Sequence, residues 1–424
     1  MIKFLILGLL RDKSRNRLPV IVVAIGVMLT VFLHAYINGF MGDTIEMNAR
    51  FSYGHVKVMT REYAENVHQL PLDLALMDVQ ELEQTLMQQF PNYIWASRIQ
   101  FGGLVDVPDN SGETRAQGQA AGFAMDFLSP QSNEAERLEL EKSLGSGHLI
   151  QTPGEVLLSD EFAQKLQVKP GDEITLIGST MNGSMTMHNF RVAGTVSFGI
   201  ENLDRGSILV DIEDARLALD MYDAAGEIVG FLKTGFYEND KALESARLFN
   251  ARYSSNDDGF APVMQALSEQ GTMGQYVMMA EKWSLYITSV FVLAMALVLW
   301  NAGLLGGLRR YGEFGVRLAM GEEKNHVYRT LIYESVVIGL AGTIIGTTVG
   351  LLISYWIQEN GIDISGMMEG ASMMMPGEIR ARITPADYYI GFIPGLLSTV
   401  VGSMLAGVGI YKRKTSQLFK ELEA

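Results

Sequence analysis

Four apolar stretches dominate the sequence of 424 residues and leave few folds open to it. Crossing a bilayer takes about 20 apolar residues in a helix. Leu18–Phe40, Trp283–Gly307, Thr330–Ile357 and Tyr388–Tyr411 all have that length. A backbone in hydrocarbon must satisfy its own polar groups, so each stretch is read as a helix. Pro19 suits a first helical turn, where its missing N–H costs nothing. Pro394, with Gly391, Gly395, Gly402, Gly407 and Gly409, predicts a bent fourth span. Ahead of the first span, Met1–Arg17 holds an apolar run, Phe4–Leu10, too short to cross. With its basic end it reads as an interfacial helix. A secretory signal is the rival reading; five basic residues precede the longer apolar run and no small-x-small cleavage site follows, which weighs against it.

The segment between the first and second spans has the opposite character. Met41–Ala280 carries 16 Lys+Arg against 35 Asp+Glu, whereas the whole chain nets −15. An acidic surface disfavours nucleic-acid binding. The chain has no cysteine, which excludes a disulfide framework and a thiolate metal site. Met1–Arg17, Leu308–Arg329 and Lys412–Ala424 together hold 14 Lys+Arg against 6 Asp+Glu. The positive-inside rule makes these three cytoplasmic, both termini among them, and puts Met41–Lys282 and Gln358–Asp387 outside. The expected fold class is membrane α-helical, with four transmembrane helices, plus a large mixed α+β extracytoplasmic domain inserted between helices 1 and 2.

Within the third span Gly342, Gly346 and Gly350 recur every fourth residue, a smooth stripe for close helix packing in an oligomer or a tight bundle. Glu334, one turn inside that span, should face protein or the membrane boundary. His34 and Asn38 lie one turn apart near the end of the first span. They read as interfacial or bundle-pairing groups, with a proton-relay or ligand role as the alternative. Ahead of the third span runs a charged, helix-forming segment in which Arg310, Glu313, Phe314, Gly315, Val316, Ala319 and Gly321 follow the pattern R-x-x-E-F-G-V-x-x-A-x-G.

That pattern, then Glu334 and a glycine-spaced membrane helix, resembles the FtsX/MacB-type permeases of ABC transporters. The resemblance implies that the segment docks on a separate ABC ATPase, which binds ATP and Mg, so that this chain needs no cofactor and is no enzyme. By carry-over the ATPase-coupling residues are Glu313, Gly315, Arg317 and Gly321, with Glu334 supporting them. Gly315 and Gly321 would permit close approach. Glu313 and Arg317 would offer charge-assisted hydrogen bonds. No G-x-x-x-x-G-K-[ST] or H-E-x-x-H is present, consistent with no nucleotide loop or metal pair of those kinds.

In the acidic segment, Asp78–Phe90 has helical spacing, ended by Pro91. Gly54–Met59, Ile99–Val107 and Arg115–Phe123 read as strands, and Glu134–Leu144 as a charged helix. Glu155–Leu158 reads as a strand running into a helix, Glu161–Leu166, capped by Ser159 or Asp160. Lys169-Pro170-Gly171-Asp172 reads as a turn. Asn182-Gly183 marks a hairpin between strands Glu173–Ile177 and Phe190–Val196, and a further helix begins at Ile212. This order of elements resembles the periplasmic core of MacB-type and lipoprotein-releasing (Lol-type) permeases, with Ser197–Asp204 closer to the latter. It implies a multi-pass protein of a bacterial inner membrane. Such a protein extracts or releases lipoproteins or other lipid-bearing substrates by mechanotransmission, beside a second permease copy or paralogue. FtsX-like signalling and MacB-like efflux of peptides or drugs are the alternatives. Gly178–Asn189 lacks the proline of the hook that recruits a periplasmic carrier in one Lol type, and Lys412–Ala424 lacks the usual tail pattern.

Methionines cluster where spans leave the outer face: Met273, Met278 and Met279 before the second span, and Met367, Met368, Met373, Met374 and Met375 between the third and fourth. A flexible thioether lining suits a greasy substrate mouth, ordinary core packing, or Cu(I).

Overall fold

The computed structural model describes residues 13–109, 111–198, 201–253, 258–308, 310–363 and 378–412. The chain divides into two compact units, one built on Gly42–Met279 and the other on the chain up to Met41, Ala280–Asp363 and the chain from Glu378.

Among the described residues, twelve strands organise the first unit. They are β1 (Val56–Thr60), β2 (Leu76–Met77), β3 (Tyr93–Pro108), β4 (Thr114–Met125), β5 (Leu144–Gly147), β6 (Glu155–Ser159), β7 (Glu173–Ser179), β8 (Met185–Val196), β9 (Ser207–Asp211), β10 (Ala224–Ala225), β11 (Glu227–Leu232) and β12 (Pro262–Ala266). Strand β3 belongs to two structures. Its first part, Tyr93–Arg98, pairs with β11, in the order β12-β1-β11-β3. Its second part, from Ile99, pairs with β4 and also with β7. Because β4 pairs β9, β9 pairs β6, β6 pairs β8 and β8 pairs β7, the hydrogen bonds return to β3 and close a ring of six strands. Closure removes the free edges that otherwise invite pairing with another chain.

Apolar residues fill these layers as a period of two requires. Ile174 and Leu176 of β7 are buried between half-exposed neighbours, whereas β1, β9 and β11 are buried along their whole length. Helices Val79–Gln89, Asp160–Leu166, Ile212–Leu219 and Asn239–Tyr253 give Leu86, Phe162, Leu166, Ala215, Leu219 and Phe249 to the same core.

Charges are buried where the sheet and the ring meet. Arg98, the last β3 residue paired with β11, donates to Glu134 at 2.6 Å, to the Phe51 carbonyl at 2.7 Å and to the Arg50 carbonyl at 2.7 Å. Arg137 bonds the other oxygen of Glu134. Both guanidinium groups lie over the Phe231 ring. His55 is equally enclosed. The Leu232 N–H donates to its Nδ1 at 2.9 Å, so that nitrogen carries no proton and Nε2–H donates to Glu46 at 2.9 Å.

Several local expectations change. Residues 134–144 do not form one helix: Glu134–Arg137 and Leu140–Ser143 are separate turns, Glu139 between them has φ +53°, and Leu144 opens β5. Glu134 is held inward by Arg98, which fixes the first turn independently of the second. Ser159 holds the N-cap position of its helix, but its hydroxyl donates to the Asp204 carbonyl at 2.8 Å and makes no cap bond; Asp160 lies inside the helix. The turn at Lys169–Asp172 and the hairpin at Asn182-Gly183 form as expected, with Gly171 at φ +98° and Gly183 at φ +78°.

The second unit holds the apolar helices. Among the described residues, four are long and apolar enough to cross a membrane: Arg17–Tyr53, Gly271–Leu308, Lys324–Asn360 and Pro385–Val408. The first three exceed the apolar stretches because helix continues into polar flanks. The fourth is bent as its proline predicts, with a 3₁₀ turn at Pro385–Tyr388, a π turn at Ile393–Ser398 and helix from Thr399.

The glycine stripe is occupied within the chain. A Cβ on Gly342 would lie 2.6 Å from the Val23 side chain, one on Gly346 2.5 Å from the Ala24 carbonyl, and one on Gly350 3.0 Å from Val31. Val23, Val27 and Val31 form the matching ridge of the first helix. Of the two readings of the stripe, the tight bundle is the one its contacts satisfy. Gly339 is not on that face; it packs against Leu396 of the fourth span.

Candidate functional site

The segment joining the second and third spans forms a helix, Tyr311–Ala319, a turn, and the start of the helix Lys324–Asn360. Residues three and four apart share a helix face. One face, Tyr311, Phe314, Gly315 and Leu318, packs on Val327 and Leu331. Tyr311 also donates its hydroxyl to the Ala406 carbonyl at 2.6 Å, which ties the segment to the fourth span. The turn needs a residue at positive φ, and Gly321 supplies it at φ +96° with open space around it.

The other face is apolar and uncovered. Val316 is 38% exposed and Met320 76%, with Ala319 exposed between them. Polar groups border it. Arg317 makes a bidentate pair with Glu322, Nε to Oε2 at 2.5 Å and Nη2 to Oε1 at 2.7 Å, and His326 stands 3.4 Å from the same carboxylate. Arg310 reaches both Glu334, in a close pair, and Glu313 at 3.5 Å. Four of the five expected coupling residues thus frame one small structure: Gly315 is buried in its packed face, Gly321 makes its turn, Arg317 braces that turn, and Glu334 anchors Arg310 at its start. Glu313 stands at the start of the helix, its carboxylate turned to Arg310.

The fork of Arg317 is directed to Glu322 rather than outward, a partner that spacing alone does not reveal because a turn intervenes. Sequence reasoning also missed Val316 and Met320. The available signal was their phase, since they are apolar at positions out of step with Tyr311, Phe314 and Leu318. Arg309 lies outside the described residues.

Arg317 holds the Glu322 carboxyl below its ordinary value of 4.5, against a small opposing effect of burial. A carboxyl lowered by folding stabilises the folded state above its unfolded pKa and loses that effect as pH falls through its folded pKa. Glu322→Gln should therefore lower the thermal midpoint slightly near neutral pH, because the pair is solvent-screened. The difference from the parent should vanish once acid has protonated Glu322. A difference that persists in acid would show that Glu322 acts by something other than its charge.

Met278 and Met279 are 50% and 52% exposed on the helix Gly271–Leu308. The rest of the expected substrate mouth, Met367, Met368, Met373, Met374 and Met375, lies outside the described residues, as do the interfacial helix up to residue 12 and the tail from residue 413.

Residues 18–235 match the family described as the MacB-like periplasmic core domain, and residues 285–415 match the FtsX-like permease C-terminal family. The first match takes in the first apolar helix and most of the strand-rich unit, and the second takes in the later apolar helices. Among solved structures, the periplasmic region of MacB from Actinobacillus actinomycetemcomitans is similar at 14% identity and TM-score 0.35, covering 55% of this chain and 96% of that one. No curated protein matches.

Proposed function

This chain belongs to the FtsX/MacB-type permease family of ABC transporter subunits, and on that basis we propose that its ATPase docks on the face of Val316, Ala319 and Met320. One observation carries the reading: a nine-residue helix, bolted on one side to the third span and through Tyr311 to the fourth, leaves an apolar face open on the other. The ATPase activity belongs to the partner, which also binds ATP and Mg. Arg310, Glu313 and Arg317 rim the contact, where charges steer encounter more than they add affinity. The positive-inside rule supports a cytoplasmic setting for this helix, with both termini on the same side and Gly42–Met279 in the periplasm. ATP-driven closure of the partner would push the helix and, through the third span, the valine ridge of the first. By this mechanotransmission the protein would release a lipoprotein or another lipid-bearing substrate from the outer leaflet, paired with a second permease. The size of the strand-rich unit favours release over signalling, and the exposed thioethers of Met278 and Met279 suit a greasy substrate.

Purification of the full chain in mild detergent should bring an ATP-binding subunit with it. Val316→Glu combined with Met320→Glu should weaken that capture by at least about thirtyfold, the effect of losing a hot spot of about 2 kcal/mol. Glu313→Lys should weaken it too, while membrane insertion is unchanged in both variants. Undiminished capture in both would reject the docking assignment.

A further inference from the structure

A polar cluster at the far end of the first span has no part in docking. His34 Nδ1 lies 2.7 Å from Asp387 Oδ1. Asp387 is fully buried, and its other oxygen accepts from the Thr384 N–H at 2.6 Å and the Thr384 hydroxyl at 2.8 Å. Asn38, one turn after His34, lies 3.3 Å from the imidazole and accepts the Ser284 hydroxyl at 2.7 Å. The first span, the second span and the residues entering the fourth therefore converge on one pair of ionisable groups.

Ahead of Asp387, residues 378–384 cross the first helix as a strap. The Arg382 N–H donates to the Ala35 carbonyl at 2.9 Å. The Arg380 carbonyl passes so close to Gly39 that a Cβ there would lie 1.8 Å from it. Ala35 and Ala381 are buried together with Ile357. Ile383 N–H donates to Gln358 Oε1 at 3.2 Å, and Arg380 pairs with Glu378 at 3.2 Å. Small residues at 35 and 39, one turn apart, are what allow a backbone to lie on a helix backbone.

The strap is held by point contacts. Its own regular structure, among the described residues, is a two-residue ladder between Glu378–Ile379 and Ile362–Asp363 and the capped turn at Thr384. Polar contacts at a membrane rim can be exchanged for water, unlike the same groups at bilayer depth. A fully buried carboxylate, in contrast, needs a partner for as long as it stays buried. The element is therefore suited to two positions.

We propose that residues 378–387 form a latch closed by the His34–Asp387 pair, and that it lifts from Ala35 and Gly39 during the ATP-driven cycle. The energy source rests on the functional reading above; the latch itself does not.

The chain has no cysteine, so Ala35→Cys introduces one thiol at a position with no exposed surface. In the full chain in lipid nanodiscs, a membrane-impermeant maleimide should label it slowly. Asp387→Asn and His34→Gln, close in shape to the originals, should each speed labelling by about tenfold or more, the effect of losing a charged hydrogen bond. ATP should do the same in the complex with the ATPase. Unchanged rates in both variants would overturn the latch. Faster labelling in the variants, with no response to ATP in a complex that hydrolyses it, would overturn its part in the cycle. If no ATPase co-purifies, the functional reading fails, and the variant rates alone decide the latch. As a second measurement, an oxidised Ala35→Cys/Ala381→Cys pair should stop ATP turnover and reductant should restore it; turnover indifferent to the cross-link would show that the strap never moves.

Discussion

Arg98→Ala should cost the strand-rich unit about 3–5 kcal/mol, the usual result of removing one partner of a buried ion pair. The residue is 1% exposed, and three groups depend on it through four bonds: the Glu134 carboxylate, bonded twice, and the carbonyls of Phe51 and Arg50. Truncation would leave the Glu134 carboxylate with Arg137 as its ion-pair partner and would strand two carbonyls from water. Arg98→Lys should fall between, since an ammonium cannot reproduce the planar fork. Arg98→Met with Glu134→Leu and Arg137→Met should recover part of the loss, because the cost lies in leaving one charge of the Arg98–Glu134–Arg137 triad behind rather than in lacking the triad. Trp95, three residues away on β3, gives a fluorescence signal for denaturant unfolding of the full chain. A loss below about 1 kcal/mol for Arg98→Ala would mean that water already reaches Glu134.

Gly346→Leu should be the most damaging single change in the membrane helices. Its first side-chain carbon would stand 2.5 Å from the Ala24 carbonyl and 2.8 Å from Val27. Neither neighbour can give way, since one is backbone and the other is at 0% exposure between two helices. Overpacking of this kind costs typically about 1–3 kcal/mol, and more where backbone must shift. The third and first helices should separate locally, seen as a lower thermal midpoint in detergent and faster proteolysis. Gly306→Ala is the matched control: a Cβ there meets nothing within 4 Å, and stability should hold or rise. Equal behaviour of the two variants would refute the close packing of stripe and ridge.

The four spans and the acidic segment between the first two were legible because length, apolarity and charge sign are properties of a stretch rather than of a fold. Turns at Gly171 and Gly183 were legible because Pro-Gly and Asn-Gly are turn pairs whose glycine takes positive φ at no steric cost, unlike Glu139, whose positive φ has no such signal. Three features were not. Nothing local announces that Asp387 pairs with His34 across 353 positions, since the partner is chosen by helix packing. The break after Arg137 contradicts a good helical pattern, and it follows from Arg98, a residue on another strand. At the segment proposed to dock the ATPase, the motif residues brace one another, and the open surface belongs to Val316 and Met320, which the motif leaves partly unspecified. A pattern can mark where a surface lies without saying which of its side chains face out.

One strand serves both halves of the strand-rich unit, and that has a mechanical consequence. Among the strand ladders, a load applied to β12, β1 or β11 passes to the six-strand ring through β3, at the Arg98–Ile99 bond, with the Gln100–Glu227 hydrogen bond beside it. Because the ring has no seam, it cannot yield by peeling one strand at a time; it must bear the pull as a hoop or break many hydrogen bonds together. Tension between the halves would therefore fall on the β3 backbone around Arg98 and Ile99 and on the core the two halves share.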